Sequence, residues 1–129
     1  MAELTEENLL STALDNFFLD NFETALEQID KLLSKFTSTP SKSEYMLYKA
    51  ICKLKLGNYE GAKKDLDEIN NDTNFNKDYR YYLTLGKVLY YLCKFNESKE
   101  ALNTGIEKQK DKCSLFTTWI NKVEEELKE

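Results

Sequence analysis

Two acidic runs are the first residues in this chain whose types and spacing could support catalysis. They occupy positions 65–68 and 124–126, and paired carboxylates can act as a general acid and a general base or bind a metal ion. Each run has lysines at helical spacing, which is typical of a solvated helix face with ion pairs along it. We therefore expect these carboxylates to be structural rather than catalytic or metal-binding.

The three cysteines, Cys52, Cys93 and Cys113, offer a second kind of chemistry, but their spacing is not that of zinc ligands. A catalytic thiol needs an activating neighbour, and the chain contains no histidine to serve as that neighbour, as a general base or as a metal ligand. Glycine-rich phosphate-binding motifs are also absent from the sequence. The sequence therefore predicts a protein that is not an enzyme and uses no cofactor and no metal, with Cys52 as a small core residue.

The composition excludes several kinds of partner. A net charge of −5 argues against binding to nucleic acids or to acidic membrane surfaces, which attract basic faces. Residues 1–7 lack the layout of a signal peptide, and reduced cysteines are typical of the cytosol or nucleus. We therefore expect a cytoplasmic or nuclear protein, and the scarcity of glycine and proline, four and one residues, favours long helices.

The chain repeats one pattern three times, starting at positions 13, 50 and 86. A small residue is followed nine positions later by an aromatic one, then by a second small residue after three positions and an aliphatic one after four more. The copies are Ala13, Phe22, Ala25 and Ile29; Ala50, Tyr59, Ala62 and Leu66; and Gly86, Phe95, Ser98 and Leu102.

This pattern resembles the tetratricopeptide repeat, whose period is about 34 residues. The resemblance implies an all-α fold in which each repeat is a pair of antiparallel helices, A and B, with small residues where the two backbones nearly touch. We expect three repeats, and so six antiparallel helices in a right-handed superhelix, followed by a C-terminal capping helix. The expected bounds are one domain over 1–129, with repeats at about 6–39, 43–76 and 79–112 and the capping helix at about 113–128.

Two local patterns refine this prediction. Ser41 and Glu44 have the spacing of a capping box at the start of the third helix. The last helix carries an apolar stripe with Trp119 at its centre, which predicts a buried cap over the open end of the third repeat; a surface for a dimer or a partner is the alternative. The stripe consists of Leu115, Phe116, Trp119, Ile120, Val123 and Leu127.

The resemblance also implies a concave groove lined by the A helices, which binds partner proteins. The alternative for each groove residue is that it only packs against adjacent helices. The candidate contact residues are Leu10, Leu14, Phe17, Leu47, Ile51, Leu54, Arg80, Leu83, Lys87, Tyr90 and Tyr91.

One class of tetratricopeptide domain binds the acidic C-terminal peptides of heat-shock chaperones with a clamp of Lys, Asn and Arg. The matching positions here hold Leu10, Leu14, Tyr48, Arg80 and Thr84, and only Arg80 has the chemistry of the clamp. Since one arginine would provide few of the charge-assisted hydrogen bonds, we do not expect that clamp.

A closer resemblance is to the N-terminal domain of the SGT-one co-chaperone family (suppressor of the G-two allele of skp-one). It is carried by residues 13–14 and 21–26, by the Lys-Ala-Ile-Cys stretch at 49–52, and by a tryptophan-bearing helix around 118–122. The resemblance implies an adaptor that binds the Skp-one subunit of SCF ubiquitin ligases, and the ninety-kilodalton heat-shock chaperone through downstream domains. Those downstream domains do not follow Glu129 in this sequence, so we expect an excised domain or a short member of the family.

Two alternatives to the ligase adaptor remain at this stage. One is a repeat domain of an unrelated scaffold that binds a different partner in the same groove. The other is a self-associating domain that forms a homodimer.

Overall fold

Seven α-helices make up the part of the chain that the computed structural model describes, residues 5–128. Residues 1–4 and 129 of the predicted domain, including the start of the stretch tested for a signal peptide, lie outside it. No strand occurs between residues 5 and 128, so the all-α prediction is confirmed. The helices are α1 Glu6–Phe18, α2 Phe22–Lys35, α3 Lys42–Lys55, α4 Tyr59–Asn70, α5 Tyr79–Tyr91, α6 Phe95–Lys108 and α7 Cys113–Glu126, with a 3-10 turn at Lys110–Lys112 before α7.

The chain divides into two compact units at Asp72 and Thr73. In the first unit α1 packs against α2, α2 against α3, and α3 against α4. In the second unit α5 packs on α6, and α7 packs on α6 and, less extensively, on α5. The helices thus form the three predicted pairs and a final helix, while the prediction of one domain over 1–129 stays a prediction.

Small residues let the two helices of each pair approach closely. In the first unit Ala13 and Ala25, the small residues of the first pair, are completely buried. In the second unit a Cβ atom added to Gly86 would lie only 2.6 Å from Cγ of the buried Leu102. Ser98 then donates a hydrogen bond of 2.7 Å from Oγ to the Gly86 carbonyl, which satisfies a buried hydroxyl.

The same turn joins the A and B helices of all three repeats. Its central residue has a positive φ, 63° at Asp20, 84° at Gly57 and 63° at Cys93. The amide of the residue that follows donates a hydrogen bond to a carbonyl in the last turn of the A helix. Examples are the bond from Asn58 to the Lys53 carbonyl at 2.8 Å and that from Lys94 to the Leu89 carbonyl at 2.9 Å. This is a Schellman motif, which satisfies the last carbonyls of a helix and favours glycine at its central position.

Side chains cap the N-termini of α1, α4 and α5, but the capping box predicted for α3 is wrong. Thr5 and Asn58 accept hydrogen bonds from amides in the first turns of α1 and α4, at 3.1 and 3.0 Å. Ser41 does stand at the N-cap of α3, yet its side chain makes no capping bond. Its ψ of 10° departs from the extended conformation in which a serine side chain reaches the third helical amide, and its own amide donates to Oγ1 of Thr39 at 3.2 Å.

Polar contacts tie α1 to α3 at the start of the first unit. The Glu6 carboxylate accepts a hydrogen bond of 2.6 Å from Thr39 Oγ1 and a second one from the Tyr45 hydroxyl. These two donors lower the pKa of Glu6, because they stabilise its ionised form. The pKa of Tyr45 is raised, mainly because its hydroxyl is removed from water and also because it donates to Glu6.

A largely buried ion pair joins α3 to α4. Nζ of Lys53 lies 3.0 Å from Oδ2 of Asp65, and both side chains are mostly removed from water. Burial raises the pKa of Asp65 despite this partner, so the cost of desolvating the carboxylate exceeds the attraction of the lysine.

The last helix covers the third repeat with part of the predicted apolar stripe. Phe116 and Val123 are completely buried and form a cluster with Leu102 of α6. Trp119 and Ile120 are only half-buried. Trp119 therefore contributes to the cap without being completely buried, and the six-residue stripe is too wide, since Leu115 and Leu127 are 45% and 37% exposed.

The positive φ angles at the turns predict the effect of glycine there. Cys93→Gly should raise the free energy of unfolding by up to about 1 kcal/mol, because a side chain at positive φ has a steric cost that glycine lacks. Asp20→Gly should have a smaller effect, since aspartate tolerates this conformation. Gly57→Ala, the matched control, should lower stability by about 1 kcal/mol. Urea denaturation measures all three, and a loss of stability in Cys93→Gly would mean that the cysteine side chain is not strained in this turn.

The Lys53–Asp65 pair predicts a strongly non-additive mutant cycle. Lys53→Met should cost about 3–5 kcal/mol because it leaves the buried Asp65 carboxylate without its cation, whereas the double variant Lys53→Met with Asp65→Leu should be close to neutral. The exposed pair Lys63–Asp67 in α4, with Nζ and Oδ1 at 2.7 Å, is the control, and Lys63→Met should cost less than about 0.5 kcal/mol. Additive effects in denaturant unfolding would refute the cycle.

Candidate protein-binding surfaces

Three of the predicted contact residues meet at one aromatic patch on the second unit. Tyr90 and Tyr91, at the end of α5, both pack edge-to-face on Trp119 of α7, with ring centroids 5.6 and 5.8 Å apart. The Tyr91 side chain is 43% exposed, and the Trp119 and Tyr90 rings are half-buried. Edge-to-face geometry is favourable for aromatic pairs, so the rings hold one another in place while remaining accessible.

Two lysines flank the tryptophan of this patch. Nζ of Lys122 lies 4.4 Å from the centroid of the Trp119 ring, and Nζ of Lys87 lies 5.4 Å from it. Both distances are within the range of a cation–π interaction. We call Lys87, Tyr90, Tyr91, Trp119 and Lys122 the tryptophan patch, which presents aromatic area with positive charge on either side.

The other two predicted contact residues of the second unit have structural partners. Arg80 binds the carboxylate of Asp78, with distances of 3.1 Å from Nε and 3.0 Å from Nη2 to Oδ2. Asp78 is the N-cap of α5 and also accepts from the Arg80 amide, so the pair fixes the start of that helix. Leu83 packs against the core cluster that contains Phe116. Arg80, the one clamp-like residue, thus has its charge balanced by a neighbour.

The predicted contact residues of the first unit are a mixture of surface and core. Leu10, Leu14 and Phe17 on α1, and Ile51 on α3, are half-buried. Leu47 is completely buried and Leu54 almost so, which favours the alternative that these two residues only pack against adjacent helices. Both lie on α3, whose residues are buried on more than one side, and helical periodicity alone cannot tell which side faces a groove.

The first unit also exposes large apolar side chains at the ends of α1 and α3. Phe18 and Leu19 at the end of α1 are each 71% exposed, and Leu56 at the end of α3 is 41% exposed. Phe18 packs edge-to-face on Phe17, with centroids 5.3 Å apart. An aliphatic C-cap before the A–B turn recurs in all three repeats, at Leu19, Leu56 and Leu92, and both of those in the first unit are exposed.

The cysteines and carboxylates form no reactive centre among the described residues. Cys52 is completely buried, as expected, and burial raises the pKa of its thiol to about 11. Cys93 and Cys113 are exposed and free. Between residues 5 and 128 no group of three His, Cys, Asp or Glu side chains could hold a metal ion, and no helix there is long and apolar enough to cross a membrane.

Comparison with known proteins identifies the fold. The chain is similar in structure to the Sgt2 TPR domain from Aspergillus fumigatus, with a TM-score of 0.78 and 17% sequence identity over 97% of this chain and 80% of that chain. At this identity the likeness shows the fold, which is that of a tetratricopeptide-repeat domain. No protein-family model matches the chain, and no curated protein sequence does either.

The two aromatic residues of α7 should contribute unequally to stability. Phe116→Ala should cost about 3–5 kcal/mol, because it leaves a cavity in a fully packed cluster. Trp119→Ala should cost less, about 1–2 kcal/mol, since the ring is only partly buried and packs at the edge of that cluster against the tyrosines. Leu115→Ala, an exposed control on the same helix, should change stability by less than about 0.5 kcal/mol. Equal costs for Phe116 and Trp119 in denaturant melts would contradict the observed burial.

Proposed function

We propose that this chain is the protein-binding module of an SGT-one-like adaptor, which links the ninety-kilodalton heat-shock chaperone system to an SCF ubiquitin ligase through a Skp-one-like subunit. The sequence motifs at 13–26, 49–52 and 118–122 support the family. The tetratricopeptide fold supports the general role, because it is a fold of protein–protein interaction. The link to the chaperone would depend on domains beyond this chain.

The observation that carries the proposal is the assembly of the tryptophan patch. Lys87, Tyr90 and Tyr91 were selected as contact residues from repeat positions alone, and in the folded chain they surround one tryptophan. Tyrosine and tryptophan supply large contact areas and are enriched among the residues that dominate binding energies. The flanking lysines favour a partner segment that carries carboxylates near an apolar side chain.

A self-associating domain is the second candidate, and α7 gives it specific support. Leu115 and Leu127 are the exposed apolar residues of that helix, and a second copy of the chain could cover them. The same α7 leucines would also suit a repeat domain from an unrelated scaffold. The oligomeric state and the partner therefore have to be tested together.

A titration of the chain against purified Skp-one, with light scattering on the same samples, tests the proposal. We expect saturable binding by a monomeric chain, and the double variant Lys87→Glu with Tyr91→Ser should lose at least about tenfold in affinity, because both changes fall on the patch. Lys31→Glu is the control, since it makes the same charge change on an exposed lysine of the first unit and should bind like the native chain.

Each other result argues against this proposal in its own way. Full binding by the double variant, with an unchanged circular dichroism melt, would place the interface away from the tryptophan patch. A folded dimer that does not bind Skp-one would support the self-associating domain. A folded monomer that does not bind would favour an unrelated scaffold.

A further inference from the structure

We propose that the exposed apolar residues of the first unit form a second docking surface, which binds a segment of another protein that presents a large apolar side chain flanked by lysine or arginine. The surface consists of Phe18, Leu19 and Leu56 with the turn between α1 and α2, and we call it the α1–α2 end. It lies on the first unit and shares no residue with the tryptophan patch, so it is independent of the proposed function.

The α1–α2 end combines exposed apolar area with a concave site. Phe18 and Leu19 are the most exposed large apolar side chains among the described residues. The turn that follows Leu19 lines a shallow cavity of about 300 Å³ together with Phe22 and Leu56. A cleft of this size, at the lower end of the range for small ligand sites, can accept one apolar side chain.

The rim of this cavity is acidic, which indicates the charge of its occupant. Asp20 and Glu23 line it, and within residues 5–128 neither carboxylate takes part in an ion pair. The last turn of α1 carries no basic residue, and the positive end of α2 begins at the same turn, so the two helix ends offset each other and the two carboxylates set the charge of the rim. Lys55 adds one positive charge next to Leu56. The negative charge of the rim therefore lies at the turn between α1 and α2, where Asp20 and Glu23 line the cavity.

The same rim disfavours a second copy of this chain as the occupant. A twofold interface places identical patches against each other, so the Asp20 and Glu23 carboxylates of one copy would face those of the other. Like charges across an interface oppose association, while a lysine or arginine of a different protein would be attracted by both carboxylates. The charge of the surface therefore favours a basic, apolar partner segment.

Two synthetic peptides provide the direct test. Both are amphipathic helices of about 15 residues, long enough to form helix on binding, with the same leucine face and with either lysine or glutamate on its flanks. In fluorescence anisotropy the lysine peptide should bind, more weakly as salt is raised, and at least about tenfold more tightly than the glutamate peptide. The control is Tyr91→Ser in the tryptophan patch, which should leave this binding unchanged.

Substitutions within the α1–α2 end separate its apolar part from its charge. Phe18→Ser and Leu56→Ser change exposed side chains, so the fold should be kept, and each should weaken binding of the lysine peptide at least about tenfold. The pair Asp20→Asn with Glu23→Gln should make the two peptides bind alike, and asparagine is tolerated at the positive φ of position 20. Binding of Skp-one should be unaffected by Phe18→Ser, which keeps the outcomes of the two proposals distinct.

Three results would overturn the inference. The first is equal binding of the lysine and glutamate peptides to the native chain. The second is no saturable binding of the lysine peptide up to about 1 mM, the weak end of measurable affinity. The third is a dimer in light scattering that Phe18→Ser converts to monomer, since the occupant would then be a second copy.

Discussion

Close approach of two helix backbones within each pair is the constraint on which the rest of this structure depends. Alanine, glycine or serine is needed at the crossing points because a larger side chain would separate the helices. At Gly86 even one methyl group would overlap Leu102, and Ser98 uses the short distance to bond to the Gly86 carbonyl. With the crossing fixed, the aliphatic residues further along each B helix, such as Ile29 in the first unit, reach positions where they are fully buried, at the packing density of protein interiors.

The A–B turns must keep the paired helices close, and they therefore determine which residues are exposed at the helix ends. Each turn must reverse the chain within a few residues, and a residue at positive φ achieves this in all three repeats. Only one of these residues is glycine, so the chain tolerates backbone strain at Asp20 and Cys93 in order to keep the helices paired. A consequence is that the C-cap leucines before the turns, Leu19 and Leu56, are held at the end of the first unit and exposed to solvent.

The capping helix α7 has two roles, and a different side of the helix serves each one. Phe116 and Val123 point inward and cover the cluster around Leu102, as the end of a repeat array requires. Trp119 lies on the adjacent side, between Lys87 and Lys122, where it contributes to a surface. One helix therefore stabilises the second unit and supplies the central residue of the tryptophan patch.

The sequence by itself determined the helices, the repeat pairing and the positions of the turns, because these follow from local periodicity and from small residues at fixed spacing. Every predicted helix appears near its predicted bounds, and Cys52 is buried as the pattern required. Tertiary structure alone decided which side of each helix faces inward. Leu47, a predicted groove residue, is buried, and Trp119, at the centre of the predicted cap, is only partly buried, since burial depends on neighbouring helices that one helix's periodicity does not specify. At the start of α3 the Ser41 amide donates to Oγ1 of Thr39, whose hydroxyl in turn donates to Glu6 of α1. This local bond replaces the capping box that the sequence predicted.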